Sequence, residues 1–185
     1  MQRWLQQAML SKHNEMFKLA HKRWRQARNL GDPEANYPGL RYILLHTFAH
    51  ALMRQLALDC GYAAASIRER IYAQGEDKEG GAMAGILLYT ADSDSEGTLG
   101  GLVNQGRDLG YHIAGALEAM QYCASDPLCA EHAPLNDLTL HGAACHACLF
   151  APETSCERGN RYLDRSVLIA TVERNDLAFF GEIAG

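Results

Sequence analysis

Five of the six cysteines in this 185-residue chain lie between residues 123 and 156. The spacing is C-x5-C, then fifteen residues, then C-x2-C and x7-C, formed by Cys123, Cys129, Cys145, Cys148 and Cys156. Two thiolates separated by two residues can bind one metal ion from a single tight turn, and a tetrahedral zinc site takes two further sulfur or nitrogen ligands. We therefore predict a zinc-binding lobe over residues 123–160, around which the rest of the chain is organised.

The predicted ligands of a structural Zn²⁺ are Cys129, Cys145, Cys148 and Cys156. Because four sulfurs complete such a site, Cys123 is held in reserve, either as a replacement for Cys129 or as a buried residue at the end of a helix. Three histidines are further reserve ligands: His132, His141 and His146. The alternatives are scattered free cysteines or a disulfide framework. An odd group of five cysteines and the lack of a secretory signal argue against disulfides.

Composition places the chain among globular proteins of one to two domains, since 48% of its residues are hydrophobic. No run of residues is long and apolar enough to span a membrane. The opening residues, Met1-Gln2-Arg3-Trp4, lack the apolar region of a signal peptide. We therefore expect a cytoplasmic protein that does not bind membranes.

Charge is distributed unevenly along the chain. Residues 1–30 contain seven Lys or Arg and one Glu, a charge of +6, which leaves −11 for the rest of a chain whose net charge is −5. We predict a basic helical arm at 1–33, ahead of a zinc-binding domain at 34–185. The arm could contact nucleic acid or an acidic partner, or it could present a solvated helix face. We expect it to pack on another domain or subunit.

Hydrophobic patterning predicts an α+β fold, with several helices around a small antiparallel sheet and a four-cysteine zinc-binding lobe. The most apolar helix, residues 38–59, is expected at the centre of the core. Segment 84–90 is predicted as a buried strand, whereas 66–73 fits either a strand or a helix, and a hairpin that pairs the two segments would account for both. Further helices are predicted at about 102–122 and 158–174.

His46 and His50 lie four residues apart on one face of the predicted central helix, a geometry that can chelate a metal ion. A metalloprotease with this spacing carries a Glu directly after the first His as its general base, where this chain has Thr47. One interpretation is a hydrogen-bonded pair in the core or facing a partner. The other is a second metal site completed by an acid such as Glu96, which would serve a metal-dependent nuclease or hydrolase.

The segment from Asp92 to Gly101 joins the predicted strand to the next helix, and its acids and Gly97 imitate the first half of a calcium loop. The twelfth position, which should supply a bidentate Glu, is Val103, so calcium is rejected. We expect a tight strand-to-helix turn, and the role of the segment stays open.

Four stretches carry a resemblance to known domains, in order along residues 40–170. They are YILLHTFAHAL (42–52), GILLYTADSDSEGTLGGLV (85–103), CASDPLC (123–129) and GAACHAC (142–148), followed by Cys156 and Asn160. The chain resembles the MrfA-type zinc-binding domain at the C-terminus of superfamily-two DNA helicases. It is more similar to the DrmB-like C-terminal domain of unknown function from DISARM anti-phage systems.

The resemblance implies a four-cysteine structural zinc and a non-catalytic accessory role beside a DNA helicase, in phage defence or DNA repair. The helicase members have Gly-Cys-Pro-x-Cys, where this chain has Ala144-Cys145-His146-Ala147-Cys148. They also have Pro-Gly-Gly after the strand, where this chain has Asp94-Ser95-Glu96-Gly97. Both differences favour the DrmB-like branch. The expected partner is a DNA helicase subunit or domain, with DNA contacted directly or through that partner.

Overall fold

The fold is that of a computed structural model, which describes residues 1–76, 78–90 and 101–181. Its helices are α1 (Gln2–Leu5), α2 (Ala8–Gln26), α3 (Gly39–Cys60), α4 (Gly101–Gln105), α5 (Leu109–Met120) and α6 (Leu128–Glu131). Its strands are β1 (Ile67–Gln74) and β2 (Met83–Thr90). Single 3-10 turns lie at Ala64–Ser66, Gly106–Asp108 and Arg165–Val167. This mixture of helices and a two-stranded sheet confirms the predicted α+β class.

Helix α3 occupies the centre of the core, as its sequence predicts. Thirteen of its residues are buried, including Ile43 and Ala49 with no exposed surface. An apolar surface of this extent needs partners on several sides, and α3 packs against α2, α5 and both strands. The helix ends at Cys60 and is followed by Gly61, whose φ of 68° is in the left-handed region that glycine adopts without steric cost.

Strands β1 and β2 form the predicted antiparallel hairpin, in a register that pairs Ile71 with Ile86. Side chains alternate along β1: Ile67, Glu69 and Ile71 face the core, while Arg68 and Arg70 face outward. This alternation is the period-two pattern of a strand with one buried face. A carboxylate, Glu69, therefore occupies an inward position between two buried isoleucines.

The N-terminal helices pack against the same core as the rest of the chain. Leu10 and Phe17 of α2 are fully buried, and the Trp4 indole donates a hydrogen bond of 2.8 Å to the carbonyl of Leu177. The basic segment therefore presents one face to the chain's own body, whereas Lys12 on the opposite face is exposed. The division into domains at residues 33 and 34 stays a prediction.

The structure corrects the helix predicted at 158–174, where only the 3-10 turn Arg165–Val167 is helical. The amide of Tyr162 bonds to the carbonyl of Leu140 (2.8 Å), and that of Arg165 to Ala143 (2.9 Å). The backbone is therefore engaged with the cysteine-rich lobe rather than with itself. Leu163 is buried as predicted, but Val172 is 73% exposed.

The predictions for the segment 91–100 and for the helix after it have different outcomes. The helix expected at 102–122 is divided into α4, a 3-10 turn and α5. The stretch 91–100, which contains Glu96 and most of the calcium-like pattern, lies outside the described residues. Among the residues that are described, no helix is both long and apolar enough to cross a bilayer.

Candidate metal centres

Four thiols converge at one point of the cysteine-rich lobe and are called here the thiol cluster: Cys123, Cys129, Cys145 and Cys148. Their sulfur atoms all lie within 4.8 Å of one another. The Sγ atoms of Cys123 and Cys145 are 3.4 Å apart, and Cys148 Sγ is 3.7 Å from both Cys129 and Cys145. These distances are too long for disulfides, which join sulfurs at about 2.0 Å. All four cysteines are free.

Two backbone segments build the thiol cluster. Cys123 follows α5, and Cys129 lies in the short helix α6. The other pair lies on one turn, in which the Cys145 carbonyl accepts from the amides of Cys148 and Leu149 at 3.2 and 3.0 Å. The amide of Cys145 in turn donates to Cys148 Sγ at 3.3 Å. Small residues at 142–144 and 147 leave space for this turn.

The thiol cluster passes a geometric test for zinc. With Zn–S bonds of 2.3 Å, neighbouring sulfurs of a tetrahedron lie about 3.8 Å apart. The observed separations of 3.4–3.7 Å are close to that value. Cys129 and Cys148 are buried, and Cys123 and Cys145 are partly buried. Four sulfur ligands at these distances fill a tetrahedral site and leave no position for water.

The side chain of Arg165 lies beside this cluster with no exposed surface. Its guanidinium donates to the Met120 carbonyl at 2.9 Å and forms an ion pair with Asp126. Although burial alone would lower it, the pKa of Arg165 is raised, mainly by the Asp126 carboxylate. A fixed positive charge therefore lies near the sulfur atoms of Cys129 and Cys148.

A second group of donors, called here the His–Glu–Cys cluster, consists of His46, His50, Glu69 and Cys156. Its four ligand atoms also lie within 4.8 Å of one another. His46 Nε2 is 2.9 Å from Glu69 Oε1 and 3.1 Å from Cys156 Sγ. His50 Nε2 is 3.4 Å from the same Glu69 oxygen. The side chains of both histidines and of Glu69 are fully buried, and Cys156 is 7% exposed.

Burial and mutual contact shift the pKa values in the His–Glu–Cys cluster. Burial acts to raise the pKa of the Cys156 thiol, but the nearby imidazoles of His46 and His50 outweigh it and lower the value to about 6. The same balance lowers the pKa of Glu69 to about 2. For His50, burial acts to lower the pKa, while Cys156 and Glu69 raise it to about 10.

The structure groups the sequence-predicted residues differently from the expected ligand set. Cys129, Cys145 and Cys148 come together as expected, but the fourth thiol is the reserve residue Cys123. Cys156 lies with His46 and His50 instead. The reason is the path of the loop after Cys148: Asn160 bonds to both the amide and the carbonyl of Ala151, which holds Cys156 against α3.

The three reserve histidines belong to neither cluster. His132 and His141 stack with ring centroids 4.4 Å apart, and His132 Nε2 lies 3.3 Å from Asp137. His146 is exposed and packs edge-on against Phe150. Among the described residues, these imidazoles are engaged with each other, with Asp137 or with an aromatic ring.

Glu69 is the residue of the His–Glu–Cys cluster that the sequence analysis missed, having named Glu96 as the acid. The signal was present in the alternation of β1, where an acidic residue occupies an inward position between Ile67 and Ile71. A carboxylate is rarely buried without a partner. An inward acid on a strand beside a helix with two histidines one turn apart would have indicated the pairing.

These features agree with the comparisons to known proteins. Residues 48–149 match the family model described as the MrfA Zn-binding domain. This match covers more than half of the chain and contains the entire thiol cluster. The chain belongs to the MrfA Zn-binding domain family.

The chain is also similar to a curated protein with an assigned name. The chain is 42% identical over 181 residues to the DISARM protein DrmB of Bacillus paralicheniformis (strain ATCC 9945a / NCIMB 11709 / CD-2). The alignment covers 96% of this chain and 31% of that protein. The chain therefore spans less than a third of the length of this relative. Both findings bear out the resemblance stated from the sequence.

Proposed function

We propose that this chain is a non-catalytic zinc-binding interaction domain, and that the thiol cluster holds its structural zinc ion. The observation that carries the proposal is the convergence of four sulfurs at tetrahedral distances in a domain of a Zn-binding family. The proposed ligands are Cys123, Cys129, Cys145 and Cys148, with Cys123 replacing Cys156 of the sequence-based set. When bound, the zinc ion would cross-link these thiolates and contribute folding free energy.

The chain's own residues prepare this site. The Cys145–Cys148 turn presents two sulfurs from one set of backbone hydrogen bonds, so this half of the site is organised locally. The other half depends on Cys123 and Cys129, whose segment is anchored to Arg165 through Asp126. Zinc would join the α5–α6 segment to the loop that packs under α3, which gives the lobe a fixed shape for recognition.

We propose that this shape serves a DISARM-type anti-phage assembly, in which the domain acts beside a DNA helicase. Support comes from the 42% identity to DrmB and from the resemblance to helicase-associated zinc domains. The activity of the complete protein would reside in other domains or chains. In this proposal any DNA contact is made with the partner or through the basic arm, and the protein works in the cytoplasm.

The outer face of the hairpin is the surface we propose for this contact. Tyr72, Leu87 and Tyr89 are 41–48% exposed there, beside the outward Arg68 and Arg70. Tyrosine and arginine are enriched at the centres of protein interfaces, where large side chains bury area at low entropic cost. The antiparallel register places Leu87 opposite Arg70 and Tyr89 opposite Arg68, so these groups form one patch.

The rival function, a metal-dependent nuclease or hydrolase using His46, His50 and Glu96, finds less support. The nearest acid to the histidine pair among the described residues is Glu69, and a fourth donor, Cys156, completes the group. All four side chains are buried. A hydrolytic metal needs an open position for water or substrate. A closed set of four donors is typical of structural ions.

Zinc content tests the first part of the proposal. Cys148→Ser should remove the zinc of the thiol cluster and unfold or aggregate the lobe, because the remaining sulfurs cannot complete the tetrahedron. The control is Cys60→Ser, since Cys60 lies outside both clusters at the end of α3. A folded Cys148→Ser protein with unchanged metal content would refute the ligand assignment.

The role in an assembly is tested on the full-length protein that contains this domain. Leu87→Asp should abolish co-purification with the helicase subunit of the same system and abolish protection against phage. A control with the same charge change, Leu58→Asp, alters a residue that is 70% exposed on α3, away from the hairpin. Retention of both activities in Leu87→Asp would reject the hairpin face as the contact surface.

The basic arm is tested by DNA binding. If α2 contacts phosphates, replacing the exposed residues Lys12 and Arg23 with Gln should weaken binding and reduce its dependence on salt concentration. Leu10 and Phe17 stay in place, so the helix keeps its packing. Unchanged binding and salt dependence would remove DNA contact from the role of the arm.

A further inference from the structure

We propose that the His–Glu–Cys cluster is a second, closed metal site that binds one divalent transition-metal ion such as Zn²⁺ through two imidazoles, a carboxylate and a thiolate. This site is separate from the thiol cluster, and its donors come from other parts of the chain. The inference does not depend on the proposed role in a defence assembly.

The geometry of the donors is the first argument. A tetrahedral zinc with one sulfur and three nitrogen or oxygen ligands has neighbouring donor atoms about 3.3–3.6 Å apart. Glu69 Oε1 lies 2.9 Å from His46 Nε2 and 3.4 Å from His50 Nε2, Cys156 Sγ lies 3.1 Å from His46 Nε2, and no pair in the cluster exceeds 4.8 Å. A shift of a few tenths of an ångström would open the space for an ion.

The orientation of His50 is the second argument. Its Nδ1 lies 2.8 Å from the carbonyl oxygen of Leu149. A carbonyl only accepts, so Nδ1 carries the proton, and in the neutral ring Nε2 presents its lone pair to the cluster. A backbone carbonyl in this position is the usual partner that orients a metal-binding histidine. Leu149 also follows Cys148, which links the two clusters through adjacent residues.

Unpartnered polar atoms are the third argument. Among the described residues, His50 Nε2 and Glu69 Oε2 are buried without a hydrogen-bond partner of acceptable geometry. Such atoms cost about 1–3 kcal/mol each when left unsatisfied in a core. Both belong to side chains that converge on the proposed site, and a bound cation would satisfy them together.

The environment of Cys156 is the fourth argument. Its Sγ accepts from the amides of Arg158 and Asn160 at 3.4 and 3.2 Å. The thiol cluster contains contacts of the same kind, including the Ser125 amide to Cys123 Sγ at 3.4 Å. Backbone donors directed at sulfur stabilise a thiolate, which is the metal-binding form. Metal binding displaces protons from its ligands, and with both imidazoles neutral the thiolate and the carboxylate carry two negative charges, which one divalent ion neutralises.

The site would be structural rather than catalytic. His46 and His50 come from α3, Glu69 from β1 and Cys156 from the loop after the thiol cluster. One bound ion would therefore cross-link three segments of the fold. A cavity of about 310 Å³ borders His50 on the side of α3 and Leu149. This arrangement explains why a buried acid is tolerated on the inward face of β1.

The decisive measurement is zinc content combined with zinc X-ray absorption on the purified wild-type chain. With both sites filled, we expect about two zinc ions per chain and, from five sulfurs on two ions, about 2.5 sulfur ligands per zinc. Occupation of the thiol cluster alone would give about four sulfurs per zinc, and of the His–Glu–Cys cluster alone about one. The three outcomes separate this proposal from that of the thiol cluster.

Variants confirm the assignment. Glu69→Gln keeps the size of the side chain but removes its charge, and we expect it to lower the content to about one zinc with nearly four sulfurs. Cys60→Ser should keep two. One zinc with four sulfurs in the wild type would overturn the proposal, leaving a proton-sharing network of the four side chains. So would a second zinc that persists in both Glu69→Gln and Cys156→Ser.

Discussion

His13 Nε2 lies 2.9 Å from Asp164 Oδ2, and both side chains are only 2% exposed. The other carboxylate oxygen of Asp164 accepts from the amide and hydroxyl of Ser166 at 2.9 and 2.6 Å and from the amide of Ala143 at 3.2 Å. The Asp164 amide bonds to Thr47 Oγ1 at 3.0 Å. One buried residue thus connects α2, α3 and the segment leading to the Cys145–Cys148 turn.

Loss of the His13 imidazole should destabilise the whole fold rather than release the N-terminal arm alone. His13→Ala leaves a buried oxygen of Asp164 unsatisfied, which should lower the free energy of unfolding by about 1–3 kcal/mol. Urea denaturation followed by fluorescence measures this change. The neighbouring exposed variant Lys12→Ala should change it by less than about 0.5 kcal/mol. Equal effects of the two variants would contradict a structural role for the pair.

The close approach of Gly142 to Asp164 allows no larger residue. A Cβ at position 142 would lie 2.1 Å from Asp164 Oδ2 and 2.4 Å from Cγ. Gly142→Ala should therefore cost about 1–3 kcal/mol of stability, since the buried carboxylate would have to move. Gly110→Ala is the control, because its Cβ would meet nothing within 4 Å in helix α5. A Gly142→Ala protein as stable as wild type would show that the loop can shift freely.

Asp164 should make stability depend on pH in the acidic range. Burial acts to raise its pKa, but the hydrogen bond and charge of His13, with Ser166, outweigh it and lower the pKa below its ordinary value of 3.8. A depressed pKa contributes stability that is fully present above the unfolded value and is lost as the pH falls through the folded one. The stability difference between wild type and Asp164→Asn should therefore be largest above about pH 4 and shrink below it. Denaturation midpoints measured from pH 3 to 7 test this, and a difference that stays constant would contradict it.

The buried positive charge of Arg165 should contribute to the stability of the fold. Arg165→Met keeps much of the side-chain volume but removes the partner of Asp126 and the donor to Met120. Breaking a buried pair in this way should cost about 3–5 kcal/mol. Thermal melting of the zinc-loaded protein measures the loss. Arg107→Met, at an exposed position, is the comparison and should melt like wild type.

Local patterns were enough to predict much of the fold. The central helix was predicted because a helix buried on several sides is apolar almost all round, and the hairpin was predicted from the short segments at 66–73 and 84–90, the second of which is a continuous apolar run. The segment at 158–174 also has apolar residues at helical spacing. There the backbone pairs with residues 140–143, and positive φ angles at Asn160 and Tyr162 interrupt any helix.

By itself, the sequence placed Cys145 and Cys148 together as candidate metal ligands, since two residues between cysteines fix their geometry within a single turn. It also placed His46 and His50 on one helix face. Only the tertiary structure decided that Cys123 completes the thiol cluster and that Cys156 joins the histidines and Glu69. Those partners lie far apart in the chain, so their distances depend on how the loops pack, which no local spacing encodes.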